Sequence, residues 1–155
     1  MKKQRKIRLF AHNIRSLWNV GSFFRTCDAF QVETLYLSGY TGLPPRKEIT
    51  KTAIGAEAFV PWEHLDDPVA TLQILKKERW QIVGLEIASD AIPLDQYSPT
   101  DRTCLIVGHE LTGIPEELRS LCDAIVAIPM LGKKESLNVA VAAGIALYAL
   151  RHGQD

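Results

Sequence analysis

Three short polar constellations, each following an apolar run, are where this chain can do chemistry. They are Asn19-x-Gly21-x-x-x-Arg25, then Val107-Gly108-His109-Glu110-Leu111-x-Gly113, then Ile128-Pro129-Met130 leading to Ser136-Leu137-Asn138. Together they offer a guanidinium, a carboxylate, carboxamides and a hydroxyl. In the third, a buried-looking strand passes through Pro129, Gly132, Lys133, Lys134 and Glu135 into Ser136-x-Asn138, and an alanine-rich helix follows at once. A joint of this kind places polar groups at a strand's carboxyl edge and a helix N-terminus, where open α/β sheets bind ligands.

The common nucleotide and hydrolase sites fail on their own requirements. A dinucleotide fold needs Gly-x-Gly-x-x-Gly after its first strand, and His12-Asn13-Ile14-Arg15-Ser16 stands there instead. Gly132-Lys133-Lys134 resembles the end of a phosphate loop, but Lys134 occupies the place of the magnesium-binding Ser or Thr and Ala127 that of the first glycine. No Gly-x-Ser-x-Gly elbow is present, and no spacing couples His109 to Ser136, so an acyl-transfer triad is only a weak runner-up. His12, His64, His109 and His152 are not spaced as ligands, and Cys27, Cys104 and Cys122 show no CxxC pattern. Reduced, buried thiols and no metal site are expected.

The elements that must position these groups alternate along the chain. Apolar runs at 7–11, 34–38, 82–87, 104–108 and 124–128 read as strands, and 21–30, 69–79, 115–121 and 137–151 as helices. Several strands are apolar without two-residue alternation, as a parallel sheet covered on both faces requires. Asn19 is expected to cap the first helix, with Gly21 allowing a close backbone approach. Pro115 suits the first helical position, and His152-Gly153 the end of the last helix. Residues 39–48, with Gly42, Pro44 and Pro45, form the expected flexible loop.

At 155 residues and 46% hydrophobic, the chain fits one compact domain with a real core. No apolar run is long enough to span a bilayer, and Met1-Lys2-Lys3-Gln4-Arg5-Lys6 leads into a strand instead of a signal-peptide core, so a cytoplasmic protein is expected. The formal net charge is zero, yet ten of the eighteen Lys and Arg residues fall within 1–51, against Asp28, Glu33 and Glu48. Segregated positive charge attracts phosphate even on a neutral protein. The basic segment 1–6 divides evenly between an RNA contact and a solvated tail; Arg15, Arg25 and Arg46-Lys47 tip the reading towards nucleic acid. Trp18, next to Asn19, is the aromatic best placed to touch a base, whereas Trp62 and Trp80 suit packing.

The three constellations, in this order and over nearly the whole chain, resemble the motifs of the SpoU, or TrmH-like, RNA 2'-O-ribose methyltransferases of the SPOUT superfamily. Lys51-Thr52-Ala53-Ile54-Gly55-Ala56-Glu57 with Val60-Pro61-Trp62 resembles the segment between the first two motifs. For fold, the resemblance implies a parallel α/β sheet flanked by helices with a C-terminal trefoil knot, as a single domain over residues 1–155. For function, it implies S-adenosylmethionine-dependent methylation of a ribose 2'-hydroxyl by a homodimer. Expected substrates are RNA, with tRNA ahead of rRNA; a non-catalytic RNA-binding relative of the same fold is the alternative of another class. The helix from Val139, with Ala140, Ala142, Ala143, Gly144 and Ala146, suits a dimer face or ordinary packing on the sheet.

Carried over residue by residue, the resemblance places the cofactor against Leu85, Val107, Gly108, Ile128 and Leu137. Gly108 would let the adenosine approach the backbone. Arg25 matches the family's catalytic arginine. A guanidinium is a poor free base, so its physically safer role is to bind the adjacent phosphate and orient the 2'-hydroxyl. Glu110 matches the second motif and could pair with Arg25, assist dimer contacts or cap the helix near Pro115. Asn19, Ser136 and Asn138 complete the catalytic set, and the two last are also good helix caps. Lys2, Lys3, Arg5, Lys6, Arg15, Arg46 and Lys47 are the expected RNA contacts, aided by the 39–51 loop, the partner subunit or an accessory protein.

Overall fold

A computed structural model describes residues 4–153 of the chain. Seven parallel strands form one sheet: β1 (Lys6–His12), β2 (Thr34–Ser38), β3 (Trp62–Leu65), β4 (Gln81–Leu85), β5 (Ile92–Pro93), β6 (Arg102–Val107) and β7 (Ala124–Ala127), in the spatial order β3-β2-β1-β6-β4-β7-β5. The helices are α1 (Leu17–Ala29), α2 (Lys47–Ala53), α3 (Pro68–Lys77), α4 (Glu116–Arg119) and α5 (Val139–His152). This is the covered parallel α/β sheet expected from its strands.

Each face of the sheet has its own core. Leu9, Ala11, Leu35, Leu37, Leu105 and Val107 pack against α1, α2 and α5 through Phe23, Phe24, Ile49, Ala143 and Leu147. Phe10, Tyr36, Ile82, Cys104 and Ile106 pack against Leu72, Leu75 and Leu118 on the other side. Strands buried on both faces need apolar residues at odd and even positions, which is why β1 and β6 lack alternation. Cys27 and Cys104 are free thiols in these cores, and burial pushes both, and Cys122 to about 11, above the ordinary thiol range.

Local chemistry corrects several sequence expectations. Ser16, not Asn19, caps α1: its side chain accepts from the Asn19 N–H, so Asn19 lies one turn inside the helix. Pro115 is the cap residue of α4, one position earlier than expected, and α4 spans only Glu116–Arg119. The loop at 39–48 gives way to α2 at Lys47, a helix with no side-chain cap and too short for a clear apolar period. β3 and β5 were also hidden, because exposed Glu63 and His64 interrupt half-buried Trp62 and Leu65 and because Ile92–Pro93 is two residues long. Gly21 permits a close approach as expected: a Cβ there would collide with the Thr52 hydroxyl and the Ile49 carbonyl of α2. Gly153 ends α5.

Candidate active site at the carboxyl edge of the sheet

In the strand order the chain leaves β1 for β2 on one side, while β6 pairs with β1 on the other. This switch point is where open α/β sheets part to admit ligands. The loops leaving β1, β4, β6 and β7 meet there; those after β6 and β7 carry the second and third polar constellations, and the loop after β1 leads into α1, which carries the first.

Glu110 is the hub. One carboxylate oxygen accepts from the Arg15 N–H (3.0 Å), and the other accepts from the Ser16 N–H (3.0 Å) and the Asn19 side-chain amide (3.2 Å). Burial alone would raise its pKa. The donors at Arg15 and Ser16, its own amide and Asn19 outweigh that and hold it below the usual carboxylate range. The Asn19 carbonyl oxygen in turn accepts from the Asn138 amide (3.4 Å). Asn138 caps α5 by accepting from the Ala140 and Val141 N–H groups, a contact whose loss typically costs about 1 kcal/mol. One residue from each constellation is thus joined in a chain, Glu110–Asn19–Asn138, across 91 and 119 positions of sequence.

Beside this chain lies a cavity of about 280 Å³. Leu85, Val107, Gly108, Ile128 and Leu137, the five expected cofactor residues, all line it, together with Ser136. Residues 128–137 form no backbone–backbone hydrogen bond among the described residues, so their N–H and C=O groups are available next to an apolar wall. Such a combination fits a ligand with an apolar body and a polar rim.

Gly108 lines the cavity and is also required by the loop itself. A Cβ there would collide with the Gly113 carbonyl and the Ile114 N–H, because the 108–114 loop folds back on itself through paired His109 and Gly113 backbone bonds. Gly113 itself has φ +74°, a left-handed conformation natural to glycine. The glycine therefore closes the loop that forms the cavity wall.

Other expected residues are placed elsewhere. Arg25 is exposed on α1, outside the cavity lining, and among the described residues its side chain makes no hydrogen bond or ion pair. The expected Glu110–Arg25 pair is not formed, since the carboxylate is occupied by Arg15, Ser16 and Asn19. Arg15, Arg46 and Lys47 are exposed, Arg15 following β1 and the other two opening α2. Lys6 is exposed at the start of β1, at the opposite sheet edge. Arg5 also sits at that edge and donates to the Leu150 and Gly153 carbonyls at the end of α5. Lys2 and Lys3 lie outside the described residues.

Two cavity residues escaped the sequence. Glu86 accepts from the Ile114 N–H (3.1 Å) and from Arg119 (3.2 Å), which also reaches Asp90 (2.7 Å). Its signal was a carboxylate inside the apolar run 82–87, of which the strand keeps only the part up to Leu85. His109 lines the cavity with its Nδ1 accepting from the Leu111 and Thr112 N–H groups, so Nε2 carries the proton. Among the described residues no group of three or more His, Cys, Asp or Glu is arranged to hold a metal, and no helix is long and apolar enough to cross a membrane.

Comparison with known proteins gives a consistent result. The SpoU rRNA Methylase family pattern matches residues 6–148. A tRNA (guanosine(18)-2'-O)-methyltransferase of Aquifex aeolicus is 35% identical over 99% of this chain and 72% of its own length. A 23S rRNA (guanosine-2'-O-)-methyltransferase RlmB of Coxiella burnetii is 26% identical over 95% of this chain and 58% of its own. Among solved structures, the SpoU methyltransferase AviRb from Streptomyces viridochromogenes in complex with AdoMet superposes with a TM-score of 0.87, at 25% identity, over 96% of this chain and 60% of that one.

Proposed function

Since the chain belongs to the SpoU methylase family, we propose that it transfers a methyl group from S-adenosylmethionine to a ribose 2'-hydroxyl of RNA. The observation that carries this reading is the joining of Asn19, Glu110 and Asn138 beside a cavity lined by Leu85, Val107, Ile128 and Leu137. tRNA is the favoured substrate, because relatives of which this chain covers 72–75% are tRNA methyltransferases by name, against 58% for the rRNA relative. rRNA is the second reading, supported by the RlmB relative. The chain spans about three-fifths of RlmB and AviRb, so whatever their additional segments recognise is not carried over.

S-adenosylmethionine, held by the cavity walls and the unpaired backbone of 128–137, supplies a methyl group activated on a sulfonium. The protein's task is alignment for an in-line displacement, and fixing the hydroxyl can contribute a large part of the rate. Glu110 holds the 15–19 turn rigid through three hydrogen bonds and thereby sets the direction of α1. Arg25, on that helix and free of intramolecular partners among the described residues, binds the phosphate next to the target ribose and orients its 2'-hydroxyl. The developing proton passes to phosphate or water, since a guanidinium stays charged.

Arg25 is exposed and is not among the residues that line the cavity, which supports a homodimer in which a second copy completes the site. α5 leaves Val141, Ile145 and Tyr148 exposed beside Asn19, Ser22 and Thr26 of α1. Of the small residues that suited either a dimer face or packing on the sheet, Ala143 and Ala146 are buried in this chain's own core, while Ala140 and Gly144 flank the open groove. The remaining parts of the reading are one domain, a C-terminal trefoil knot, and a cytoplasmic location. Incubating the protein with labelled S-adenosylmethionine and unmodified tRNA or rRNA, then digesting to nucleosides, tests the proposal. A 2'-O-methylated nucleoside is expected; cofactor binding without transfer to either RNA would leave the RNA-binding relative as the better account.

A further inference from the structure

A second groove, of about 480 Å³, opens on the other side of Glu110 and involves Arg15, Trp18, Glu48, His109 and Leu111. Several of its features are unlike ordinary surface. Trp18 is 49% exposed, with the Lys51 ammonium 5.9 Å from its ring centre, and Leu111 is 81% exposed. Exposed Tyr40 lies edge-on to His109 of the groove, ring centres 6.3 Å apart. Exposed π-faces bordered by cations favour a flat, electron-rich ligand attached to an anion.

The two carboxylates of the groove differ. Glu110 is fully engaged by Arg15, Ser16 and Asn19. The Glu48 side chain has no hydrogen-bond or ion-pair partner among the described residues, although Arg15, Arg46, Lys47 and Lys51 supply positive charge nearby in the groove or along α2. An unengaged carboxylate beside a stacking ring selects a base that presents two adjacent N–H donors. Guanine does so through N1–H and the N2 amino group; adenine and cytosine present only an amino group on their pairing edge, and uracil a single N–H.

We propose that this groove receives the target nucleobase of the RNA, stacked on Trp18, and that Glu48 selects guanine by accepting from its N1–H and N2–H groups. Arg15 and Lys51 neutralise the adjoining phosphates. The groove and the cofactor cavity share His109, Glu110 and Leu111 as a common wall, so a base held here puts its ribose beside the Asn19–Glu110 chain. The inference rests on the methyltransferase reading above.

The test titrates the full chain with GMP and AMP while following tryptophan emission, and separately with S-adenosylmethionine by calorimetry. GMP should quench emission at millimolar concentration, and Trp18→Phe, which leaves Trp62 and Trp80 in place, should abolish that quenching. Glu48→Gln replaces one acceptor with a donor and should weaken GMP about ten-fold or more while leaving AMP unchanged. Both variants should bind S-adenosylmethionine as the wild type does and keep its circular dichroism. A wild type that binds S-adenosylmethionine but shows no GMP quenching through Trp18 overturns the base site and leaves the methyltransferase reading standing. Equal response to AMP and GMP, or an unaffected Glu48→Gln, overturns the guanine assignment. Failure of the wild type to bind S-adenosylmethionine overturns the reading beneath it, and this inference with it.

Discussion

The two edges of the sheet use positive charge in opposite ways. At the amino edge, Arg5 donates to the last carbonyls of α5, and Arg151 donates to the Phe30, Gln31 and Arg5 carbonyls. Arg8 pairs with Glu33, donates to the Tyr36 hydroxyl and lies over Trp80 at 4.2 Å. At the carboxyl edge and on the helices beside it, Arg15, Arg25, Arg46, Lys47 and Lys51 are exposed, and among the described residues none of them forms an ion pair with a carboxylate. Cations committed to carbonyls and carboxylates stabilise the fold; cations left uncommitted near a polar cavity are available to a polyanion. A count of Lys and Arg along the first third of the chain merges these two populations.

The largest expected effect lies at the active edge. Arg25→Ala should lower methyl transfer by about a hundred-fold or more, the scale of losing an alignment contact, with S-adenosylmethionine affinity unchanged. Single-turnover transfer and calorimetry check the two halves, and equal loss of both would mean Arg25 supports the fold instead.

Next comes the hub. Glu110→Ala leaves the Arg15 and Ser16 N–H groups and the Asn19 amide without their acceptor and should cost about 1–3 kcal/mol in urea unfolding. Because the folded-state pKa of Glu110 is held below its ordinary value of 4.5, its stabilisation is fully present above that value and is lost as pH falls from there through the folded pKa. Wild type and Glu110→Ala should therefore converge in stability in that acid range and differ at neutral pH. A constant gap would show that the contact does not depend on the ionised carboxylate.

At the opposite edge, Arg5→Ala should lower stability by about 1–2 kcal/mol through its charge-assisted bonds to α5, with the salt dependence of RNA binding unaltered. The smallest effect belongs to Arg46→Ala and Lys47→Ala. Each should leave stability within about 0.5 kcal/mol and reduce the slope of log affinity against log salt by about one. An exchange of these outcomes, with Arg5 altering the slope and Lys47 altering stability, would erase the contrast between the edges.

Much of this was legible in the sequence, for physical reasons that differ by element. Strands buried on both faces declared themselves as continuous apolar runs, as at Leu105–Val107 and Leu35–Leu37. The polar groups of the site were visible because Glu110, Ser136 and Asn138 interrupt apolar segments at turns. What could not be read was which partner each would take. Asn19 looked like a cap, yet Ser16 three residues earlier satisfies the same helix end, and this frees the Asn19 amide for Glu110. Gly108 looked like a ligand contact and lines the cavity, but its clash with Gly113, five residues on in the loop, could not be read from the sequence. Arg5 looked like part of a basic tail, and its role depended on the Leu150 carbonyl of α5, 145 residues later, lying beside β1. Pairings over such separations are set by the sheet order.

The most direct test of the account is titration of S-adenosylmethionine into the wild type and into Ala142→Leu, a variant that adds volume at the cavity wall where Ala142 stands. The account predicts a saturable site in the wild type and an affinity at least about ten-fold weaker in the variant, with thermal unfolding still cooperative in both. Undiminished affinity in Ala142→Leu would contradict the placement of the methyl donor at the carboxyl edge of the sheet.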